Sequence, residues 1–176
     1  MERVLIIVPA YNEAGSLRPL LYSLLSKHAE WDVVVIDDGS TDATREVVGG
    51  LTRIVSLPCN LGIGGAVQTG LQIALREGYD MAIQVDGDGQ HPPEEIHKLL
   101  QGLRDSDCDL VVGSRFRMPG GTKSTAVRRL GIRFFSWVLS KICGTRITDA
   151  TSGFRVMNRR AIAVLARDYS EDYPEV

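Results

Sequence analysis

Two aspartates stand one residue apart at Asp86 and Asp88 in the stretch "QVDGDGQHPPEEI", and an amide follows at Gln90. Carboxylates this close repel each other, so they require a cation or hydrogen-bond donors between them. Carboxylate and amide oxygens are hard ligands, which favour Mg²⁺ or Mn²⁺ over zinc. Because the motif supplies only a few such ligands, we expect phosphates of a bound molecule to complete the coordination shell of the cation. The two aspartates therefore predict a site for a divalent cation and a phosphate.

Three other motifs fit these residues and their surroundings less well. An EF-hand loop beginning at Asp86 requires glycine at its sixth position and glutamate at its twelfth, where His91 and His97 stand. The "DxDG" motif of haloacid-dehalogenase phosphatases normally lies near the N-terminus and continues with Thr or Val, whereas Gln90 stands here. The run "GIGGAV" nearly matches a dinucleotide fingerprint, but Val67 replaces its third glycine and it follows the third predicted strand.

The elements that must position these residues alternate along the chain, which is typical of βα units and a mostly parallel sheet. Short runs rich in Val, Ile and Leu predict five strands, "RVLIIVP", "WDVVVID", "TRIVSLP", "DMAIQVD" and "CDLVVGS". Amphipathic stretches between them predict helices over residues 13–28, 42–49, 64–77 and 93–103. We therefore expect an α/β fold with a Rossmann-like, mostly parallel sheet flanked by helices.

The unusual polar residues follow the predicted strands. The segments "PAYNE", "DDGSTD", "NLGIGG", "DGDGQHPP" and "GSRFR" come after the first to the fifth strand in turn. The carboxyl ends of parallel strands meet at one edge of the sheet, which is where ligands of open α/β sheets bind. Every α/β protein has polar turns, but five at one edge, three of them with carboxylates, favour a binding site.

Composition limits the classes of function. The 176 residues are 44% hydrophobic and 24% charged, as in an ordinary globular domain. A net charge of −2 supplies no general field for nucleic acid or an anionic membrane, so phosphate must be bound locally. Cys59, Cys108 and Cys143 lack zinc-ligand spacing and predict reduced thiols in a cytosolic protein. A strand from Arg3 leaves no room for a signal peptide, and no apolar run reaches the roughly 20 residues that span a bilayer.

Six motifs, taken in order, resemble glycosyltransferase family two, and more closely its dolichyl-phosphate mannosyltransferase-like, or polyprenyl-phosphate glycosyltransferase, branch. They are "VPAYNEAGSL", "VVVIDDGSTDAT", "NLGIGGAVQTG", "VDGDGQHPPEEI", "VGSRF" and "TDATSGFRVMNRRA". The resemblance implies a GT-A fold and sugar transfer from a nucleotide diphosphate with inversion, using Mg²⁺ or Mn²⁺. It also implies that residues 1–176 are a single catalytic domain truncated at the C-terminus, because relatives usually continue through more strand and loop.

The resemblance assigns roles to residues at matching positions. It implies that the nucleotide pocket is lined by residues of the first two motifs, namely Pro9, Tyr11, Glu13, Ile36 and Asp38. It implies that the aspartate motif manages the metal and the diphosphate, through Asp86, Gly87, Asp88 and, as a further metal ligand, Gln90. The carboxylates then neutralise the diphosphate through a cation, so that the nucleotide can leave.

Simpler roles stay open for several residues of these motifs. Tyr11 packs on the first helix in one interpretation, and Asn12 and Asp42 serve only as helix caps. Asp37 is as plausible a turn residue as a ligand, so Asp38 is preferred to it as the residue beside the base and ribose.

Two arginines are the predicted contacts of a second phosphate. Arg115 follows the fifth strand in "GSRF", and the resemblance implies that it contacts a phosphate. A guanidinium binds a phosphate through two parallel hydrogen-bond donors. The stretch "TAVRRLGIRFFSWVLSKICG" resembles the region with a second such arginine, for which Arg128 aligns best and Arg129 second. Ile132 departs from the pattern, where serine is common. This basic, aromatic stretch predicts either an interfacial helix against lipid or a helix packed on the sheet edge.

The acceptor decides whether the reaction needs a base. A sugar hydroxyl requires one, for which Asp149 is the candidate unless it caps the following turn, whereas a lipid phosphate is already an anionic nucleophile. We therefore predict transfer from UDP or GDP to a polyprenyl phosphate, by a cytoplasmic protein with peripheral contact at the cytoplasmic face of the membrane. Two alternatives stay open: the same donor chemistry with a carbohydrate hydroxyl acceptor, and a nucleotide-sugar-binding module without catalysis.

Overall fold

The computed structural model of the protein describes residues 2–89, 92–113 and 152–168. Its strands are β1 (Val4–Ala10), β2 (Asp32–Asp37), β3 (Arg53–Ser56), β4 (Met81–Gln84), β5 (Leu110–Val112) and β6 (Arg155–Asn158). They form one sheet in the order β3-β2-β1-β4-β6-β5. The pairs β3–β2, β2–β1 and β1–β4 are parallel, whereas β6 is antiparallel to both β4 and β5.

Helices cover both faces of this sheet. They are α1 (Leu17–Lys27), α2 (Thr44–Val48), α3 (Gly62–Arg76), α4 (Ile96–Arg104) and α5 (Arg159–Leu165), with a 3₁₀ turn at Pro93–Glu95 before α4. The apolar residues of α1 and α4 share one core cluster, and those of α3 and α5 share another. Within the described ranges, no helix combines the length and apolar character needed to cross a membrane.

The central strand β1 shows why the sheet forms where it does. All seven of its residues are buried. Val4, Ile6 and Val8 contribute to the cluster with α1 and α4, whereas Leu5 and Ile7 contribute to the cluster with α3 and α5. Alternate side chains of a strand point to opposite faces, so a strand covered on both faces reads as a continuous apolar run.

The predicted α/β architecture is confirmed, and each of the five predicted strands is present within two residues of its expected bounds. The first helix begins later than predicted, at Leu17. The segment before it is a turn bonded to the loop after β2, because the amide of Glu13 donates to Oγ1 of Thr44 (2.8 Å) and that of Ala14 donates to Oδ2 of Asp42 (3.2 Å).

Strand β6 was not predicted, and it lies between β4 and β5. Its four residues lie within the motif "TDATSGFRVMNRRA", which was interpreted as part of the functional site and not as a strand. Because β6 is antiparallel to β4, with Arg155 level with Gln84, its amino end lies at the carboxyl end of β4. The segment before β6, which is distant in sequence, is thereby brought to the edge where the polar loops meet.

Candidate functional site

A cleft of about 420 Å³ lies at the carboxyl edge of the sheet. Its volume falls in the range that small-molecule sites in proteins occupy. The loops that follow β1, β2, β3 and β4 and the start of α3 all contribute to its walls. The lining residues are Pro9, Ala10, Tyr11, Glu13, Asp38, Asn60, Gly62, Ile63, Ala66, Asp86, Gly87 and Asp88.

Most of the residues that the sequence marks for the donor site meet in this cleft. Those that line it are Pro9, Tyr11, Glu13, Asp38, Asp86, Gly87 and Asp88. Ile36 does not, because its side chain is fully buried in the core cluster with α3 and α5, level with Pro9 in the adjacent strand. The remaining predictions lie outside the described residues, and they concern Gln90, Arg115, Arg128, Arg129 and Asp149.

The adjacent aspartates Asp37 and Asp38 have different surroundings, although both are buried. The carboxylate of Asp37 accepts hydrogen bonds from Nε and Nη2 of Arg45 (3.2 and 3.0 Å) and from the amide of Ser40 (3.0 Å). Burial by itself raises the pKa of Asp37, but the bonds from Ser40 and Arg45 outweigh it, and the pKa is lowered. Asp37 is therefore an ion-paired residue at the end of β2, whereas Asp38, the next residue, lines the cleft.

The position of Asp38 depends on a close approach between two loops. Its Oδ1 accepts a hydrogen bond from the amide of Leu61 (2.8 Å), just before α3. The neighbouring Gly39 has a φ of +72°, and a Cβ atom there would lie 2.8 Å from the carbonyl carbon of Cys59. Glycine is required at this position both for its backbone conformation and for the packing of the two loops. The loop after β3 is thereby held against the carboxylate that faces the cleft.

Asn12 and Asp42 connect the first two loops instead of lining the cleft. Asn12 has a φ of 56°, and its Oδ1 accepts a hydrogen bond from the amide of Thr41 (2.9 Å). Oδ1 of Asp42 accepts from the amide of Thr44 (2.9 Å), at the start of α2, while its Oδ2 accepts from Ala14. Asp42 forms a turn just before α2 and is not its N-cap, which is Ala43, and the side chains of Asn12 and Asp42 both stabilise the loop that carries Tyr11.

Sequence reasoning missed a contact that shapes the aspartate motif. Gly153, just before β6, is buried, and a Cβ atom there would lie 2.0 Å from Oδ2 of Asp86. On the other side, Nε2 of Gln84 donates to Oδ1 of Asp86 (3.0 Å). Gly87 is equally restricted, since a Cβ atom there would lie 2.9 Å from the carbonyl oxygen of Pro9. The glycine in "TSGF" was the one feature of the sequence that could have indicated a close backbone contact here. The sequence does not show that Asp86 is the residue in contact with it.

The described residues that line the cleft carry negative charge. Four carboxylates line it, from Glu13, Asp38, Asp86 and Asp88, and none of the described lining residues is a lysine or an arginine. A diphosphate would be repelled by this surface unless a cation neutralised it. The carboxylate oxygens on either side of Gly87 are the hard ligands that Mg²⁺ and Mn²⁺ prefer, so the residues present fit such an ion.

Known proteins with similar structures share this fold. The chain superposes on glucosyl-3-phosphoglycerate synthase from Mycobacterium tuberculosis with a TM-score of 0.69, at 22% identity, over 90% of this chain and 58% of that one. The same enzyme in complex with Mn²⁺ and UDP-glucose gives a TM-score of 0.67 at 22% identity, over 90% and 57% of the two chains. These neighbours are GT-A glycosyltransferases, and the predicted GT-A fold is confirmed.

Sequence relatives agree with the resemblance to the lipid-phosphate branch. The chain is 30% identical to a UDP-N-acetylglucosamine-dolichyl-phosphate N-acetylglucosaminyltransferase of Methanococcus voltae, over 93% of this chain and 72% of the relative. It is 34% identical to an undecaprenyl-phosphate mannosyltransferase of Micrococcus luteus, over 96% and 72%. It is 32% identical to a polyprenol monophosphomannose synthase of Mycolicibacterium smegmatis, over 92% and 63%. The chain thus spans between about three fifths and three quarters of the length of these relatives.

The profile of the family described as "Glycosyl transferase family 2" matches residues 5–165. This range includes all six strands of the described structure, except the first residue of β1, and all the residues that line the cleft. The chain belongs to glycosyltransferase family 2.

Proposed function

We propose that this chain is a metal-dependent, inverting glycosyltransferase that moves a sugar from a UDP or GDP donor to a polyprenyl phosphate. In this proposal residues 1–176 act as one catalytic domain. The observation that carries it is the cleft itself, because seven residues marked for the donor site converge there from three separate loops. The relatives include sugar transferases to dolichyl, undecaprenyl and polyprenol phosphates by name, which supports the acceptor class.

The nucleotide occupies the side of the cleft that the loops after β1 and β2 form. Asp38 accepts hydrogen bonds from the base or ribose, and Tyr11, whose side chain is 45% exposed, packs near the base. Glu13 lines the same wall. Ile36 contributes from beneath, by supporting Pro9 in the neighbouring strand rather than by contact with the nucleotide.

The diphosphate lies beside the aspartate motif. Asp86 and Asp88, with Gln90 as a third protein ligand, would hold a Mg²⁺ or Mn²⁺ ion, which would supply positive charge to the diphosphate leaving group. Gly87 and Gly153 let the backbone approach closely on both sides of Asp86. The carboxylate of Asp86 is thus positioned before the donor arrives.

The acceptor phosphate acts as the nucleophile. One of its oxygens forms a bond to the anomeric carbon while the bond from that carbon to the diphosphate breaks, so the configuration inverts and UDP or GDP leaves. Arg115 and Arg128 orient this phosphate through paired guanidinium donors. No general base is needed, because the acceptor is already an anion near neutral pH.

Contact with the membrane follows from the acceptor. A polyprenyl chain stays in the bilayer, so the enzyme works at the cytoplasmic face with its cleft turned to the lipid headgroups. Residues 125–144, which combine arginines with paired phenylalanines and a tryptophan, are the proposed interfacial segment.

The test is nucleotide release from UDP- and GDP-sugars with Mn²⁺ or Mg²⁺, measured with and without polyprenyl phosphate in vesicles. We expect release that depends on both the cation and the lipid phosphate, together with a sugar-phosphate lipid product. Transfer to a soluble saccharide with no use of polyprenyl phosphate would contradict the acceptor, and Asp149 would then be tested as a base. Tight donor binding without turnover on either acceptor would instead indicate a binding module.

A further inference from the structure

A second group of possible metal ligands lies at the opposite end of the sheet from the cleft. His28 ends α1, and the chain turns tightly there, since the amide of Trp31 donates to the carbonyl of His28 (3.1 Å). Glu30 lies within this turn, directly before β2 begins at Asp32. His97 lies in the first turn of α4. The site therefore adjoins the amino end of β2, whereas the cleft residue Asp38 follows its carboxyl end.

His28 has an unsatisfied nitrogen. Its side chain is only 1% exposed, and its Nε2 lies 2.9 Å from the carbonyl oxygen of Pro93. Because a carbonyl only accepts, Nε2 is the donor in this hydrogen bond, and in the neutral ring Nδ1 then presents a lone pair. Nδ1 is buried and has no hydrogen-bond partner among the described residues. Buried polar atoms are rarely left unpaired, so this nitrogen needs a ligand.

The surroundings hold the His28 ring in one orientation. It stacks on Trp31, with ring centroids 4.6 Å apart and planes 9° apart. The ring of His97 lies 5.0 Å from that of His28 and 5.1 Å from that of Trp31. Metal-ligating histidines commonly donate their second ring nitrogen to a carbonyl or carboxylate, which is the arrangement that Pro93 provides for His28.

We propose that His28, Glu30 and His97 form a Zn²⁺ site. One nitrogen of each ring and one carboxylate oxygen lie within 4.8 Å of one another. A tetrahedral shell with bonds of about 2.0–2.1 Å has its ligand atoms about 3.3–3.4 Å apart, so a small rotation of the two exposed side chains closes it around His28. Two imidazoles and one carboxylate are a common zinc set, with water as the fourth ligand.

The site would tie three elements together, namely the end of α1, the start of β2 and the start of α4. Its role is therefore to stabilise the fold rather than to act on the sugar donor. Its ligands are also chemically distinct from the aspartates of the cleft, because imidazole suits zinc whereas carboxylates alone suit Mg²⁺ and Mn²⁺.

The test is calorimetric titration of the metal-free 176-residue chain with ZnCl₂, in a background of Asp88→Asn that weakens metal binding in the cleft. We expect one tight site. His97→Gln and Glu30→Gln, which alter exposed side chains, should each weaken it by more than about 100-fold, since even groups that only orient metal ligands cost 10–100-fold when lost. Lys98→Gln on the same helix and Glu46→Gln on α2 are the matched controls and should bind Zn²⁺ like the parent.

Two further readouts locate the metal. At free Zn²⁺ about 100 times the dissociation constant, Tm should rise by about 5–10 °C, and this rise should be absent in His97→Gln. In Trp137→Phe protein, where Trp31 is the remaining tryptophan, one equivalent of paramagnetic Co²⁺ should quench the fluorescence. Unchanged Zn²⁺ affinity in both ligand variants, equal losses in the controls, or unquenched Trp31 at saturating Co²⁺ would each overturn the proposal.

Discussion

The backbone of Gly153 lies directly against the carboxylate of Asp86, although the two residues belong to motifs far apart in the chain. A Cβ atom at Gly153 would lie 2.0 Å from Oδ2, 2.2 Å from Oδ1 and 2.4 Å from Cγ of Asp86. The antiparallel pairing of β6 with β4 brings them together, since Arg155 is level with Gln84. The lack of a side chain at Gly153 therefore leaves the space that the Asp86 carboxylate occupies.

Gly153→Ala should displace the Asp86 carboxylate and weaken Mn²⁺-dependent binding of UDP or GDP by about 10–100-fold, the range seen when groups that orient metal ligands are lost. Calorimetry of nucleotide binding with Mn²⁺ measures the effect. Gly102→Ala is the matched control, because a Cβ atom at Gly102 makes only an ordinary contact with Val111 (3.7 Å). Equal nucleotide affinity in the two folded variants would contradict the role of Gly153.

Nucleotide diphosphate binding should require a divalent cation and Asp88. The four carboxylates of the cleft repel a diphosphate when no cation is present. Chelation of the metal, or Asp88→Asn, should weaken UDP and GDP binding by at least about tenfold, which corresponds to about 1.4 kcal/mol. The exposed Asp107→Asn serves as the control for the loss of one negative charge. The same affinity with and without chelator would refute the cation requirement.

Asp38→Asn should reduce nucleotide affinity while the fold is retained. The asparagine keeps an oxygen that accepts from the amide of Leu61, but it loses the charge that faces the base and ribose. We expect a loss of about 1.5–3 kcal/mol in binding free energy, the range for hydrogen bonds to a charged group. Asp107→Asn, at an exposed position outside the cleft, should bind nucleotide normally. An unchanged dissociation constant for Asp38→Asn would move the nucleotide elsewhere.

The ion pair between Asp37 and Arg45 should contribute to acid stability. Because the folded pKa of Asp37 is lowered, the stabilisation is fully present above the ordinary pKa of about 4 and is lost as the pH falls through the lowered value. Arg45→Gln should lower the free energy of unfolding by about 1–2 kcal/mol at pH 7. The free energy of unfolding should then decrease less than in the parent as the pH is lowered. Urea unfolding at several pH values tests this. Arg53→Gln, from an exposed pair with Glu77, should cost less than about 1 kcal/mol.

Tyr79 should be among the last tyrosines to ionise. Burial and the hydrogen bond from its hydroxyl to Oδ2 of Asp32 (2.8 Å) raise its pKa to about 12. The stabilisation is present below pH 10 and is lost as the pH rises towards 12. Tyr79→Phe should remove the phenolate absorbance that develops near pH 12 and cost about 0.5–1.5 kcal/mol at neutral pH. Tyr22→Phe, at an exposed position, should leave stability within about 0.5 kcal/mol of the parent.

Local patterns in the sequence predict the class of fold and bring together most of the residues assigned to the donor site. Strand β1 is apolar at consecutive positions because both faces of a central parallel strand are covered, and this pattern is local. The carboxyl ends of parallel strands share one edge, so Tyr11, Asp38 and Asp88 could be placed together once the strands were known. Their assignment to a nucleotide diphosphate depended on the family resemblance.

Which residues of these segments meet depends on packing between distant parts of the chain. Asp37 and Asp38 have the same chemistry and adjacent positions, but successive side chains of an extended segment point to opposite sides, so one meets Arg45 and the other meets Leu61. The four residues of β6 carry too short a pattern to predict a strand, and its pairing partners are distant in sequence. The contact of Gly153 with Asp86 and the approach of His28 to His97 depend on such long-range packing, which no local spacing records.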